Sequence, residues 1–81
     1  MMNDTEARLI KCFSAVFPQL GEQAIPSAIL ETVEGWDSVA TITLVTVIEE
    51  EFGVQFEPDA LEHFVSFGSI LDYLKELPAV Q

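Results

Sequence analysis

The chain has 81 residues with 14 Asp and Glu against three Lys and Arg, a formal net charge of −11, and it is 49% apolar and 10% aromatic. The apolar share excludes a disordered tail, and the charge argues against a surface for nucleic-acid phosphates or anionic lipid. A single cysteine, Cys12, leaves no internal disulfide, Cys and His have no zinc spacing, and the longest uncharged stretch, the eleven residues Ser38 to Ile48, falls short of the ~20 needed to cross a bilayer.

The first expected element runs from about Asp4 to Phe17. Leu9, Phe13, Val16 and Phe17 follow the 3.6-residue period, Asp4 or Thr5 supplies a cap, and Pro18 ends the helix. Residues 18–36 form a long connection that scatters Leu20, Ile25, Ile29, Leu30, Val33 and Trp36 among Pro, Gly and acids. Such a loop is expected to lie across the core. Segment Ser38 to Phe52 is rich in β-branched residues, which favours a strand by propensity. Length and flanks decide for a helix: Asp37 is a good N-cap, Gly53 suits the position after the last turn, and Val39, Ile42, Val45, Ile48 and Phe52 share one helical face. Pro58 opens a short helix ending near Phe64. Ser66 caps a last helix from Phe67 to about Leu77, with Phe67, Ile70, Leu71, Leu74 and Leu77 as its stripe and Pro78 just past it. The expectation is one all-α domain over 1–81, a four-helix bundle of three main helices and a short third one behind a long first loop. The acidic start of the chain does not read as a secretory or transit signal, so a soluble cytoplasmic protein, monomeric by default, is expected.

Charge is unevenly placed. Between Cys12 and Leu74 there are eleven acids and no Lys or Arg. Such a field steers basic partners, although solvation alone also explains it. Glu49, Glu50 and Glu51 end the second helix, where the macrodipole disfavours them by ~0.3–1 kcal/mol each. Asp37-Ser38 opens the same helix. As a bare dipeptide it is a cap, but a first-turn hydroxyl beside exposed N–H groups is a favourable place to carry a phosphate.

Gly35-Trp36-Asp37-Ser38-Val39, the apolar residues Ile42, Leu44, Val45 and Ile48, and the closing Glu49-Glu50-Glu51-Phe52-Gly53 together resemble an acyl carrier protein. The resemblance extends through the Pro58 turn to the helix at Ile70-Leu71-Asp72-Tyr73-Leu74. It implies that Ser38, with Asp37 beside it, is the attachment point of 4′-phosphopantetheine. A separate phosphopantetheinyl transferase would move that group from coenzyme A with Mg²⁺. The terminal thiol would then carry an acyl group as a thioester between enzymes of fatty-acid, polyketide or another specialised pathway. The chain itself would catalyse nothing. Asp37, Glu49, Glu50, Asp59 and Glu62 would meet basic docking patches on acyl-loading and acyl-processing enzymes, and Val39 would offer partners an apolar contact. Three positions depart from the usual pattern: Val39 replaces a Leu, Thr43 stands where many fatty-acid carriers have an acid, and Trp36 precedes Asp37. The six phenylalanines suggest a filled core and a short or polar cargo held largely outside it.

Other readings stay open at this stage. An acidic adaptor or nucleic-acid mimic needs no prosthetic group, and an aminoacyl or peptidyl carrier is a near neighbour. A small hydrolase built on Ser38 and His63 lacks the Gly-x-Ser-x-Gly elbow. Cys12 reads as an inert packed thiol, His63 has no second ligand for a metal, and Trp36 reads as a loop anchor.

Overall fold

The computed structural model describes residues 4–77. Three α-helices, α1 (Asp4–Val16), α2 (Ser38–Phe52) and α3 (Phe67–Glu76), enclose the core, and two 3-10 helices, Ile25–Ser27 and Pro58–His63, fill the connections. The bundle matches the all-α expectation, and no strand occurs among the described residues. Asp4 is already helical, so the cap position of α1 lies outside the described residues, as does Pro78.

The β-branched run of α2 is helical because both ends are closed. Asp37 accepts a hydrogen bond from the Ala40 amide at 2.9 Å. At the other end Gly53 turns left-handed, with φ of 66°, and its N–H donates to the Glu49 carbonyl at 2.9 Å. A side chain at that φ would clash with the backbone, so glycine is the residue that closes the helix there. The threonines add internal bonds: Thr43 and Thr46 hydroxyls donate to the carbonyls of Val39 and Ile42, each at 3.1 Å.

The buried face of α2 keeps Ile48 and Phe52 of the expected stripe but not its first half. Leu44, Ile48 and Phe52 point inward, flanked by half-buried Ala40 and Val47, whereas Val39 is 72% and Ile42 61% exposed. Two overlapping apolar stripes exist on a helix this rich in Val, Ile and Leu, and the one carrying Leu44 faces the core. Periodicity alone does not choose between them.

Aromatic rings tie the loop to the bundle. Phe13 contacts Trp36 (centroids 5.5 Å apart), Phe67 (5.3 Å) and Phe17 (6.0 Å), mostly edge to face. Edge-to-face pairs add ~0.5–1.5 kcal/mol beyond their burial. The loop buries Ile25, Ala28, Val33 and Trp36, as expected of a connection laid across the core, but leaves Ile29 outside. It is also zipped to the start of α3: Leu30 N–H donates to the Val65 carbonyl at 2.8 Å and Phe67 N–H to the Ala28 carbonyl at 3.0 Å. Ser66 caps α3 as expected, accepting from the Ser69 amide, and α3 buries Phe67, Ile70, Leu71 and Leu74. A second ring cluster of Phe56, Phe64 and Tyr73 holds the Pro58–His63 helix against α3.

Candidate functional site

Ser38 is the first residue of α2 and is exposed. Its position follows from its two predecessors. Trp36 is almost fully buried, and its indole N–H donates to the Thr41 hydroxyl at 3.0 Å, which pins the loop to the first turn of α2. Asp37 spends its carboxylate on the Ala40 amide. The chain therefore leaves the core at Trp36, caps the helix at Asp37 and presents the next side chain to water. The helix is fifteen residues long, so its N-terminal end favours an attached anion.

Beside Ser38 lies an open groove of about 440 Å³. Its walls come from four segments: Leu30 of the loop, Trp36 at the helix entry, Thr41 and Ile42 of α2, and Leu61, Phe64 and Val65 after Pro58. Thr41 and Ile42 are one turn beyond Ser38 on the same side of the helix, although Ile42 is expected on the core-facing stripe. Leu30 and Val65 arrive through the antiparallel bridge between Ile29 and Ser66, and Leu61 from the Pro58–His63 helix, which no spacing announces.

The remaining expected residues are spread out. Val39 is exposed directly after Ser38. Glu49 lies three turns along, and its carboxylate accepts from the Phe56 amide at 2.8 Å. Glu50 is exposed at the same distal end. Asp59 and Glu62 are exposed on the Pro58–His63 helix, whose Leu61 borders the groove. His63 stacks on Tyr73, centroids 4.6 Å apart and planes 16° from parallel, and makes no hydrogen bond to Ser38 among the described residues. No cluster of side chains suited to a metal occurs among the described residues, and no helix among them is long and apolar enough to cross a membrane.

Cys12 is buried, and burial first, then the charge of Glu51, pushes its thiol up to about 11, against the pull of Arg8. It is a packed thiol in the core.

An exposed hydroxyl, a helix N-terminus and an apolar groove together suit a phosphodiester-linked arm. The hydroxyl supplies the ester oxygen, the helix end tolerates the phosphate charge, and the groove gives an uncharged chain a surface to lie on. Residues 7–74 match the family model described as phosphopantetheine attachment site. No solved structure matches the chain.

Proposed function

The chain belongs to the phosphopantetheine attachment site family, whose members carry 4′-phosphopantetheine covalently, and from that premise we propose that Ser38 is the attachment residue and that the protein shuttles acyl groups between enzymes. One observation carries the proposal: Ser38 is exposed at the first turn of α2, fixed by the Trp36 anchor and the Asp37 cap, at the mouth of an apolar groove.

In the loading step the Ser38 oxygen bonds to the β-phosphorus of coenzyme A, the bond to the 3′,5′-ADP portion breaks, and the hydroxyl proton passes to a base of the transferase. Once bound, the arm supplies a terminal thiol that holds the cargo as an electrophilic thioester. The chain's own residues keep the attachment point still while the tether raises the local concentration of cargo at the next enzyme. Five of the six phenylalanines are buried, which favours a short or polar cargo that rests in the groove rather than deep in the core. The exposed acids Glu50, Asp59 and Glu62 would steer basic partners, whereas Asp37 and Glu49 also hold intramolecular hydrogen bonds. A cytoplasmic location, and a fatty-acid, polyketide or related pathway, complete the proposal.

The test is intact-mass spectrometry after incubation with coenzyme A, Mg²⁺ and a phosphopantetheinyl transferase. The wild-type chain gains one phosphopantetheinyl group and Ser38→Ala gains none. No gain in the wild type, or an equal gain in Ser38→Ala, overturns the assignment.

A further inference from the structure

We propose that Trp36 sets the upper limit of cargo length on this carrier, because it closes the floor of the groove beside Ser38 and leaves a long acyl chain no way into the core. The inference rests on Ser38 being the loaded residue and names the side chain behind the short-cargo reading. A cargo tethered at Ser38 meets this groove first, so what lies beneath the groove decides how much of a chain can leave water.

The groove has a surface rim and a core floor. Ile42, Leu61 and Val65 on its rim are exposed. Trp36 and Phe64 line it too, yet they are only 4% and 1% exposed, so each shows the groove an edge and keeps the rest of its ring inside. Behind Trp36 stand two more rings, Phe13 edge-on at 5.5 Å and Phe17 at 5.4 Å. Phe13 is backed in turn by Phe67 at 5.3 Å. A chain pushing inward past Trp36 therefore meets flat rigid rings, not flexible aliphatic side chains. In a close-packed interior such a ring moves only if its neighbours move with it.

Trp36 is also the floor residue with a polar anchor. Its indole N–H donates to the Thr41 hydroxyl at 3.0 Å. Thr41 differs here from the next two threonines of α2. Thr43 and Thr46 turn their hydroxyls to carbonyls one turn back, whereas the Thr41 hydroxyl makes its hydrogen bond among the described residues to the indole. Swinging the ring aside to admit a chain strips the indole N–H of its acceptor and pulls the ring away from Phe13 and Phe17. Phe64 packs on Phe56 but has no polar group to hold it, so the lock on the floor is Trp36. The cargo that suits this site is a short acyl group, whose few carbons rest on the rim; carbons beyond those stay in water.

The test loads the wild type, Trp36→Leu and Thr41→Val with acetyl-, butyryl- or octanoyl-coenzyme A, using a phosphopantetheinyl transferase and Mg²⁺, and checks each product by intact mass. Two readings follow: the rate at which hydroxylamine cleaves the thioester, and the melting temperature. In the wild type the octanoyl thioester is cleaved within about twofold of the acetyl one, and the melting temperature does not depend on cargo length, because the extra carbons remain in water. Trp36→Leu melts lower, regains stability as the cargo lengthens, and has its octanoyl thioester cleaved about fivefold or more slowly than its acetyl one, because the chain fills the space the indole leaves. Thr41→Val keeps the ring and removes only its acceptor, so it stays folded and shows the same protection in smaller measure, about threefold. Octanoyl cargo shielded in the wild type overturns the proposal, and so does an absence of length dependence in the two variants. A wild-type chain that gains no mass refutes the Ser38 assignment and this inference with it; a wild type that loads normally but shields octanoyl cargo refutes this inference alone.

Discussion

Removing the cap of α2 separates two roles of Asp37. Its carboxylate accepts from the Ala40 amide at 2.9 Å, and its backbone is extended, as an N-cap requires. Asp37→Ala leaves that first-turn amide to water and costs ~1 kcal/mol, to which the lost charge at the positive end of the helix adds ~0.3–1 kcal/mol. In a domain of this size 1 kcal/mol moves the melting temperature by ~4–8 °C. The expected fall is about 5–16 °C, read by far-UV circular dichroism. Asp37→Asn keeps an acceptor in the same place and loses only the charge contribution, so it falls by about a third as much. Fraying of the first turn also loosens Ser38, its first residue, so Asp37→Ala slows loading whereas Asp37→Asn changes it little. If Asn is as damaging as Ala in both stability and loading, the carboxylate's charge matters and the cap does not. If Ala melts with the wild type, the first turn is held by Trp36 alone and the capping argument is wrong.

The inward stripe of α2 predicts that Leu44→Ala costs about 2–5 kcal/mol in urea unfolding, while Ile42→Ala, 61% exposed, stays within about 1 kcal/mol. Equal losses would mean that α2 is rotated. Trp36→Phe retains a ring against Phe13 and Phe17 but loses the donor to Thr41, which costs about 1 kcal/mol and lowers the melting temperature accordingly. For Cys12 the folded thiol titrates above its ordinary value, at about 11 rather than 9.0. The folded state then binds more protons than the unfolded one between those values, so the stabilisation is complete below pH 9.0 and is lost as pH rises to about 11, by roughly 3 kcal/mol at most. Cys12→Ala is less stable at neutral pH but has a flatter profile over that window; parallel profiles would show that the thiol contributes nothing.

Which parts of the fold were legible follows from where the information lay. Caps are local, so Asp37, Gly53 and Ser66 were readable from their neighbours, and each closes the helix end expected of it. The stripe of α3 was readable because polar residues bound it on both sides. On α2 nearly every residue before Glu49 is apolar or threonine, so the pattern has no polar edge to fix its phase: Ile48 and Phe52 are buried as expected, but Val39 and Ile42 are exposed and Leu44 takes their place in the core. The serine was legible as a capped first-turn hydroxyl and through the family pattern around it. The groove was not. Leu30 and Val65 meet because Ile29 and Ser66 form an isolated antiparallel bridge, with the Leu30 N–H donating to the Val65 carbonyl, a contact between segments thirty-odd residues apart.

The three glutamates at the end of α2 illustrate why charge in a sequence is a poor guide to contact. As a block they oppose the helix dipole and suggest a docking surface kept at some cost. The fold separates them. Glu49 turns its carboxylate to the Phe56 amide and so fixes the chain after the helix. Glu51 pairs with Arg8 of α1 at 2.8 Å, and the same guanidinium donates to the Glu51 carbonyl and lies 4.4 Å over the Phe52 ring. One α1 cation thereby neutralises an acid, satisfies a C-terminal carbonyl and covers an aromatic face. The ion pair is over one-third exposed and adds little alone, but the three contacts together hold α1 against α2. Glu50, exposed, is the remaining member. Two of the three acids thus serve the fold, and the surface next to the serine is apolar. A net charge of −11 acts on a basic partner mainly before contact.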